Sequence, residues 1–324
     1  MRATIVHTLI YSIPKEIEKA KPEVVKPARS SPNYEEYFPM FRILEQGVAK
    51  EIAGKKVTFM LKVFEDNLIV EAETYFDFKT AQAILDFKEL LSEESKKFAK
   101  KYKPSSFFEE YTFYLKKDYD NAQGYINANK NTIAALLKDE KSGLTQKEVD
   151  STLLNRITYG KEDLTIIEWD GAFLFDKEGE FKDTISIIEL ANVQLLNLRL
   201  LDNSLQDDIG KIKDQLEPGG LRSFFRLSKF MKDIIKVRTQ SVIELDSIDN
   251  SLKLYGDWYS ARVYDMAARK LYLERWRSNV EKKLNVLKDI YEMIAHRMSE
   301  NYNLLLEFTI VVLIVLEILL FLPT

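Results

Sequence analysis

Nineteen consecutive residues, Leu304 to Leu322, read LLLEFTIVVLIVLEILLFL, with two glutamates, no basic residue and no proline. At about 1.5 Å of rise per residue a helix of this length spans about 28 Å, close to the hydrocarbon thickness of a bilayer. Nothing else in the chain limits its fold so strongly. A run like this is either a buried core helix or a membrane span, and the sequence favours a single-pass, C-terminal anchor. Lys282, Lys283, Lys288 and Arg297 precede it. The positive-inside rule then leaves the N-terminal body in the cytoplasm. The opening Ala3 to Tyr11 is short, carries His7 and lacks a small-residue cleavage site, so it does not read as a secretory leader.

Whole classes of chemistry are removed by composition. The 324 residues include no cysteine and only His7 and His296, which excludes disulfides, thiolate metal sites and thiol nucleophiles and leaves too little imidazole for a histidine-based zinc or iron site. A net charge of −4 is not that of a nucleic-acid polycation. No GxGxxG or Walker spacing occurs, so no phosphate cradle is expected. Asp202, Asp207 and Asp208 lack the spacing of a calcium loop and read as a polar helix end. Glu71 and Glu73, and the adjacent Glu109 and Glu110, are expected to point from strands into solvent. These residues supply no catalytic, cofactor or metal site.

The fold class is α+β: an antiparallel-sheet N-terminal domain, then a helical stalk and one transmembrane helix. Residues 3–13 alternate as a strand, and residues 14–39 hold five of the eight prolines and read as a Pro-rich loop. A short helix is expected over Met40 to Ile52. Lys56–Phe64 and Leu68–Phe76 then flank Glu65-Asp66-Asn67 as a hairpin. An amphipathic helix over Phe78 to Tyr102 ends before Pro104, and Phe107 to Leu115 is an aromatic-rich strand. Two short helices, Asn131–Asp139 and Thr145–Thr158, lead to a second hairpin, Leu164–Trp169 and Ala172–Phe175, turned by Asp170-Gly171. The head domain thus covers residues 1–180, the stalk 181–303 and the anchor 304–322. In the stalk, Thr184 to Leu205 is apolar almost all round and so buried, Pro218-Gly219-Gly220 is a break, a second helix runs from Leu221 to about Leu245, and a third from about Trp258 to the membrane. Trp258 and Trp276 read as packing residues.

Leading into the anchor, Leu273, Val280, Leu287 and Ile294 recur every seven residues, and Leu284, Tyr291 and Met298 repeat four residues out of phase. Such a seam serves either a homo-oligomeric coiled coil or packing on the chain's own stalk. Its register continues through Leu305, Phe308, Val312 and Val315, which sets Glu317 on another face with Ile310, Ile314 and Phe321. A carboxylate in the bilayer core costs about 2.5 kcal/mol or more, so this second face is expected to meet another helix. Glu307 lies near the boundary. Arg222, Arg226, Lys229 and Lys236 share one side of the helix after Gly220, suited to anionic headgroups or, less well, to RNA phosphates.

The ending Leu306-Glu307-Phe308, an Ile/Val/Leu run and Glu317-Ile318, with the helix Tyr272–Met298 before it, resembles the terminus of the family required for meiotic nuclear division (RMND1-like). Phe308 stands where that family has Trp. The resemblance covers the last third of the chain and implies a membrane-associated, organising role with no catalytic residues. The sequence reading is therefore a non-enzymatic scaffold or adaptor, oligomerising through its C-terminal helices and holding an unknown cytosolic partner at the lipid bilayer. The alternative is a membrane-anchored enzyme or small-ligand-binding domain in the head.

Overall fold

The computed structural model describes residues 2–14, 41–77, 80–160, 162–215, 222–250 and 258–321. The chain is a mixed α+β protein with an N-terminal sheet and C-terminal helices, divided into two compact units. The first comprises residues 1–200 and 248–276, the second 201–247 and 277–324.

Eight strands among the described residues form one sheet: β1 (Arg2–Ser12), β2 (Arg42–Ile52), β3 (Lys55–Phe64), β4 (Asn67–Asp77), β5 (Phe108–Lys116), β6 (Arg156–Ile157), β7 (Leu164–Ile167) and β8 (Gly171–Phe175), in the order β2-β3-β4-β1-β5-β8-β7-β6. Neighbours run antiparallel except β5 and β8, which are parallel. The helices of this unit are α1 (Ala81–Ala99), α2 (Ala122–Leu137), α3 (Gln146–Leu154), the first part of α4 (Lys182–Gln215) and α6 (Trp258–Lys270). Thr80, Asn121 and Thr145 cap α1, α2 and α3, each side chain accepting a hydrogen bond from an otherwise orphaned backbone N–H.

Both faces of the sheet are covered, so its central strands are apolar on both sides. On one face Ile5, Leu9, Phe59, Leu61, Val70 and Phe173 pack with Ile84 and Leu91 of α1 and Ile133 and Leu137 of α2. On the other, Ile10, Phe64 and Ile69 pack with Leu190, Val193 and Leu196 of α4. The Thr184–Leu205 stretch is buried as expected, but α4 runs on to Gln215. Asp202, Asp207 and Asp208 therefore lie within the helix and not at its end.

The segment expected as a helix over Met40 to Ile52 is strand β2. Its Leu-Glu-Gln and Ala-Lys-Glu content suits a helix, yet pairing with β3 supplies backbone partners through a two-residue turn, Ala53-Gly54, with φ of +46° and +74°. Gly47, at φ +73°, allows the register shift that this long edge strand needs. The Lys56–Phe64 and Leu68–Phe76 hairpin forms as expected. So does the second, but Gly171 has a different purpose. Ile167 pairs with Ala172, so Trp169 and Asp170 make the turn, and neither they nor Gly171 are among the described residues with positive φ. A Cβ on Gly171 would lie 2.7 Å from the Thr112 carbonyl oxygen. Glycine lets β8 approach β5.

Other boundaries differ. The helix expected over Thr145 to Thr158 stops at Leu154, and Arg156–Ile157 pair with β7 as strand β6. α2 starts at Ala122, nine residues before the expected helix, and bends at Asn129, whose side chain donates to the Tyr125 carbonyl at 2.9 Å. The helix expected from Trp258 to the membrane breaks at Leu271-Tyr272, where Tyr272 takes φ +51°. Residues 15–39 of the Pro-rich segment and Pro218-Gly219-Gly220 lie outside the described residues.

The second unit is helical: the end of α4, most of α5 (Arg222–Asn250) and most of α7 (Leu273–Phe321). It buries Leu201, Leu205 and Ile212 of α4, Ile234 and Leu245 of α5, and Val280, Leu284, Leu287 and Ile294 of α7. Lys283 of α7 bonds the Asp202 carboxylate of α4 at 2.9 Å.

Candidate functional site

Two features stand out, an exposed apolar helix and a polar cluster beneath α1. The first follows from α7. Its seam positions Leu273, Val280, Leu284, Leu287 and Ile294 are buried within the chain itself, while Tyr291 and Met298 are half-buried. Beyond them the helix continues with nothing over it. Leu304, Leu305, Leu306, Phe308, Ile310, Val311, Val312, Leu313, Ile314, Val315, Leu316, Ile318 and Leu320 are all exposed, Phe308 at 70% and Leu320 at 81%. Glu307 and Glu317 are exposed among them. α7 and α4 are both long and apolar enough to cross a membrane, but the apolar stretch of α4 is mostly buried and that of α7 not at all. A contiguous exposed apolar stretch marks an interaction surface, for protein or for lipid.

Of the basic positions on α5, Lys236 is exposed, as are Lys232 and Arg238. The side chains of Arg222, Arg226 and Lys229 lie outside the described ones.

The polar cluster begins with strand alternation. β1 turns His7, Leu9 and Tyr11 toward α1, and the antiparallel register His7 with Thr112 and Leu9 with Glu110 puts those β5 side chains on the same face. One helical turn apart, Lys88 and Ser92 of α1 reach down to them. Lys88 Nζ lies 3.3 Å from Glu110 Oε1 and 2.9 Å from Asp139 Oδ2, and Ser92 donates to Glu110 Oε2 at 3.1 Å. Asp139 is placed by a left-handed turn, φ +51°, just after α2. Burial opposes the charge on Lys88, but Glu110 and Asp139 outweigh it and raise its pKa. His7 is wholly buried, its Nδ1 3.1 Å from Thr112 Oγ1 and its Nε2 3.7 Å from Glu110 Oε1. Burial, with the Lys88 charge, lowers its pKa from 6.5 to about 3, so the imidazole is neutral. His7 thus meets the Thr112 hydroxyl, but its Nε2 makes no hydrogen bond to Glu110 and Thr112 is 1% exposed, so the three do not assemble a nucleophile triad. Glu110 and Asp139 are the groups that meet solvent, at 29% and 42% side-chain exposure. The His7–Thr112 contact was invisible in the sequence because residues 7 and 112 meet only through sheet pairing.

Of the four strand carboxylates expected in solvent, Glu73 is exposed and Glu110 partly so, but Glu71 and Glu109 are inside. Glu71 is buried against Lys62, which also donates to Glu189 of α4, and Glu109 is buried against Arg199 at 2.7 Å. The α4 helix covers that face of the sheet, so outward-pointing strand residues find a partner on it and no water. Glu168 is likewise buried, held by Lys270 and by Asn155 at 3.0 Å. Among the described residues no group of three or more His, Asp or Glu is placed to hold a metal ion. Trp258, expected to pack, is 59% exposed and stacks on Tyr159 at 5.7 Å, with Arg262 5.3 Å from its ring.

Comparison with known proteins corrects the resemblance drawn from the last third of the chain. Residues 56–182 match the family described as Uncharacterized protein MJ0711, N-terminal domain. That match lies on the sheet and its helices, away from the apolar terminus, and nothing places the chain in the family required for meiotic nuclear division. A Leu/Ile/Val run is common to apolar helices of unrelated proteins and does not mark a family. No solved structure matches the chain. Uncharacterized protein MJ0711 of Methanocaldococcus jannaschii is 36% identical over 291 residues, covering 89% of this chain and 87% of that protein. Identity of this extent across both units makes the chain a member of the MJ0711 family.

Proposed function

We propose that the protein is a non-enzymatic scaffold tethered to a membrane by the apolar end of α7, with its first unit presented to a partner protein at the bilayer surface. One observation carries this reading: from Leu304 to Leu320 the described side chains of α7 are exposed and, apart from Glu307, Thr309 and Glu317, apolar. Hydrocarbon satisfies such a surface and a helix needs no backbone partner there. Lys282, Lys283, Lys288 and Arg297 before the run favour a cytoplasmic body. Exposed Lys232, Lys236 and Arg238 suit anionic headgroups nearby. The scaffold half of the reading is supported by two facts. The buried ionisable groups Lys62, Lys88, Glu109 and Glu168 are each held in ion pairs. The first unit also exposes Trp258 and Tyr159 beside Arg262, residue types that concentrate binding energy at protein interfaces. The test is an alkaline wash of membranes carrying the full chain or a variant without residues 303–324. Retention of the full chain and release of the shortened one is expected; a full chain that washes off, or a shortened one that stays, would remove the reading.

A second reading, a small-ligand site at Lys88, Glu110 and Asp139, is favoured by His7 Nε2, which is buried there without a hydrogen-bond partner. A polar molecule on that nitrogen in the electron density of purified protein would support it, and a dry contact would not.

A further inference from the structure

We infer that α7 pairs in parallel with α7 of a second copy of this chain inside the bilayer, through Ile310, Ile314 and Glu317. This rests on the membrane reading above. It departs from the heptad seam, because Val280, Leu284, Leu287 and Ile294 are already buried within one chain and offer no surface to another.

The helix has a second stripe. Glu307, Ile310, Ile314 and Glu317 follow at spacings of three, four and three, and at 100° per residue they share one side of α7. Leu305 and Val312 lie on the opposite side. All of these residues are exposed, Ile310 at 55% and Ile314 at 50%. Both glutamates of the apolar run therefore fall on one face, together with two β-branched residues whose χ1 is already restricted in a helix and which lose little freedom on packing. Acyl chains offer a carboxyl group no hydrogen bond, whereas a facing helix does. A second copy is the occupant that meets this need at the right depth. Every copy inserts with the same orientation, so Glu317 lies level with Glu317 and the contact is the same patch on both helices. Nearer the body the stripe continues through Glu300, His296, Met293, Asp289 and Val286, all exposed. There Asp289 and Glu300 lie before the apolar run, where water solvates a carboxyl group and no facing helix is needed, so the pairing is confined to the apolar run.

A chain without cysteine makes the test direct. Single substitutions Ile310→Cys and Ile314→Cys, oxidised in native membranes with a membrane-permeant catalyst, should give disulfide dimers. Leu305→Cys and Val312→Cys should give little. On an Ile314→Cys background, Glu317→Leu should lower the dimer fraction roughly tenfold and Glu317→Gln should preserve most of it. Equal yields on both faces, stronger dimers at Leu305 and Val312, or an unchanged yield with Glu317→Leu would overturn the inference. Alkaline washing of the same membranes separates the two ideas. A chain that stays in the bilayer without the expected cross-links sinks the pairing alone; a chain that washes off sinks both.

Discussion

Lys62 of β3 and Glu189 of α4 meet in the interior between sheet and helix, with Glu71 of β4 on the other side of the same ammonium group. Three ionisable side chains share a site closed to water. Burial pushes the Glu189 carboxyl well above the usual carboxylate range, against the pull of Lys62. Attraction from Glu189 and Glu71 more than offsets the burial of Lys62 and raises its pKa. Removing the base from such a group leaves buried acid without compensation. Lys62→Met is expected to destabilise the first unit by about 3–5 kcal/mol, whereas the triple change Lys62→Met, Glu71→Leu, Glu189→Leu should cost far less or stabilise. Thermal unfolding of the purified full chain in detergent checks both.

His7 makes stability depend on pH. Its folded pKa of about 3 lies below the unfolded value of 6.5, so its contribution is complete above pH 6.5 and is lost as pH falls toward 3. The loss by pH 3 is on the order of 4 kcal/mol, at 1.36 kcal/mol for each pH unit of the window. In His7→Gln the fall in unfolding temperature between pH 6.5 and 4 should be shallower than in the parent chain.

The close approach at Gly171 predicts that Gly171→Ala destabilises by about 1–3 kcal/mol, since the new methyl meets the Thr112 carbonyl oxygen of a paired strand. Gly210, inside α4, is the control, because a methyl added there would have nothing within 4 Å of it. Gly210→Ala should stabilise by roughly 0.4–1 kcal/mol, because alanine restricts the unfolded chain without a clash. Denaturant midpoints of the two variants should move in opposite directions.

Adjacent residues of α7 should behave differently. Leu287 is fully buried and Val286 is 43% exposed. Leu287→Ala is expected to cost about 2–5 kcal/mol, and Val286→Ala less than about 0.5 kcal/mol. Limited proteolysis within the second unit should accelerate only for the first.

Local pattern made both hairpins, β1, β5 and the burial of α4 legible, because alternation and turn residues act over a few positions. It misread β2, whose residues favour a helix and whose conformation is decided by the edge of β3. It assigned Gly171 to a turn, when the constraint comes from Thr112, 59 positions earlier. It placed Glu71 and Glu109 in water, when Glu71 finds Lys62 and Glu109 finds Arg199 inside.

By itself the sequence determined the α+β class, the strand-rich start and helical end, and the apolar run of α7, all properties of composition and short-range period. Tertiary structure alone decided which faces were covered: that α4 closes the second side of the sheet, that Lys62 neutralises acids from two layers, and that the seam from Val280 to Ile294 is used within the chain. Periodicity records that a side chain needs cover, but the cover comes from residues far along the chain, brought there by sheet register and helix packing.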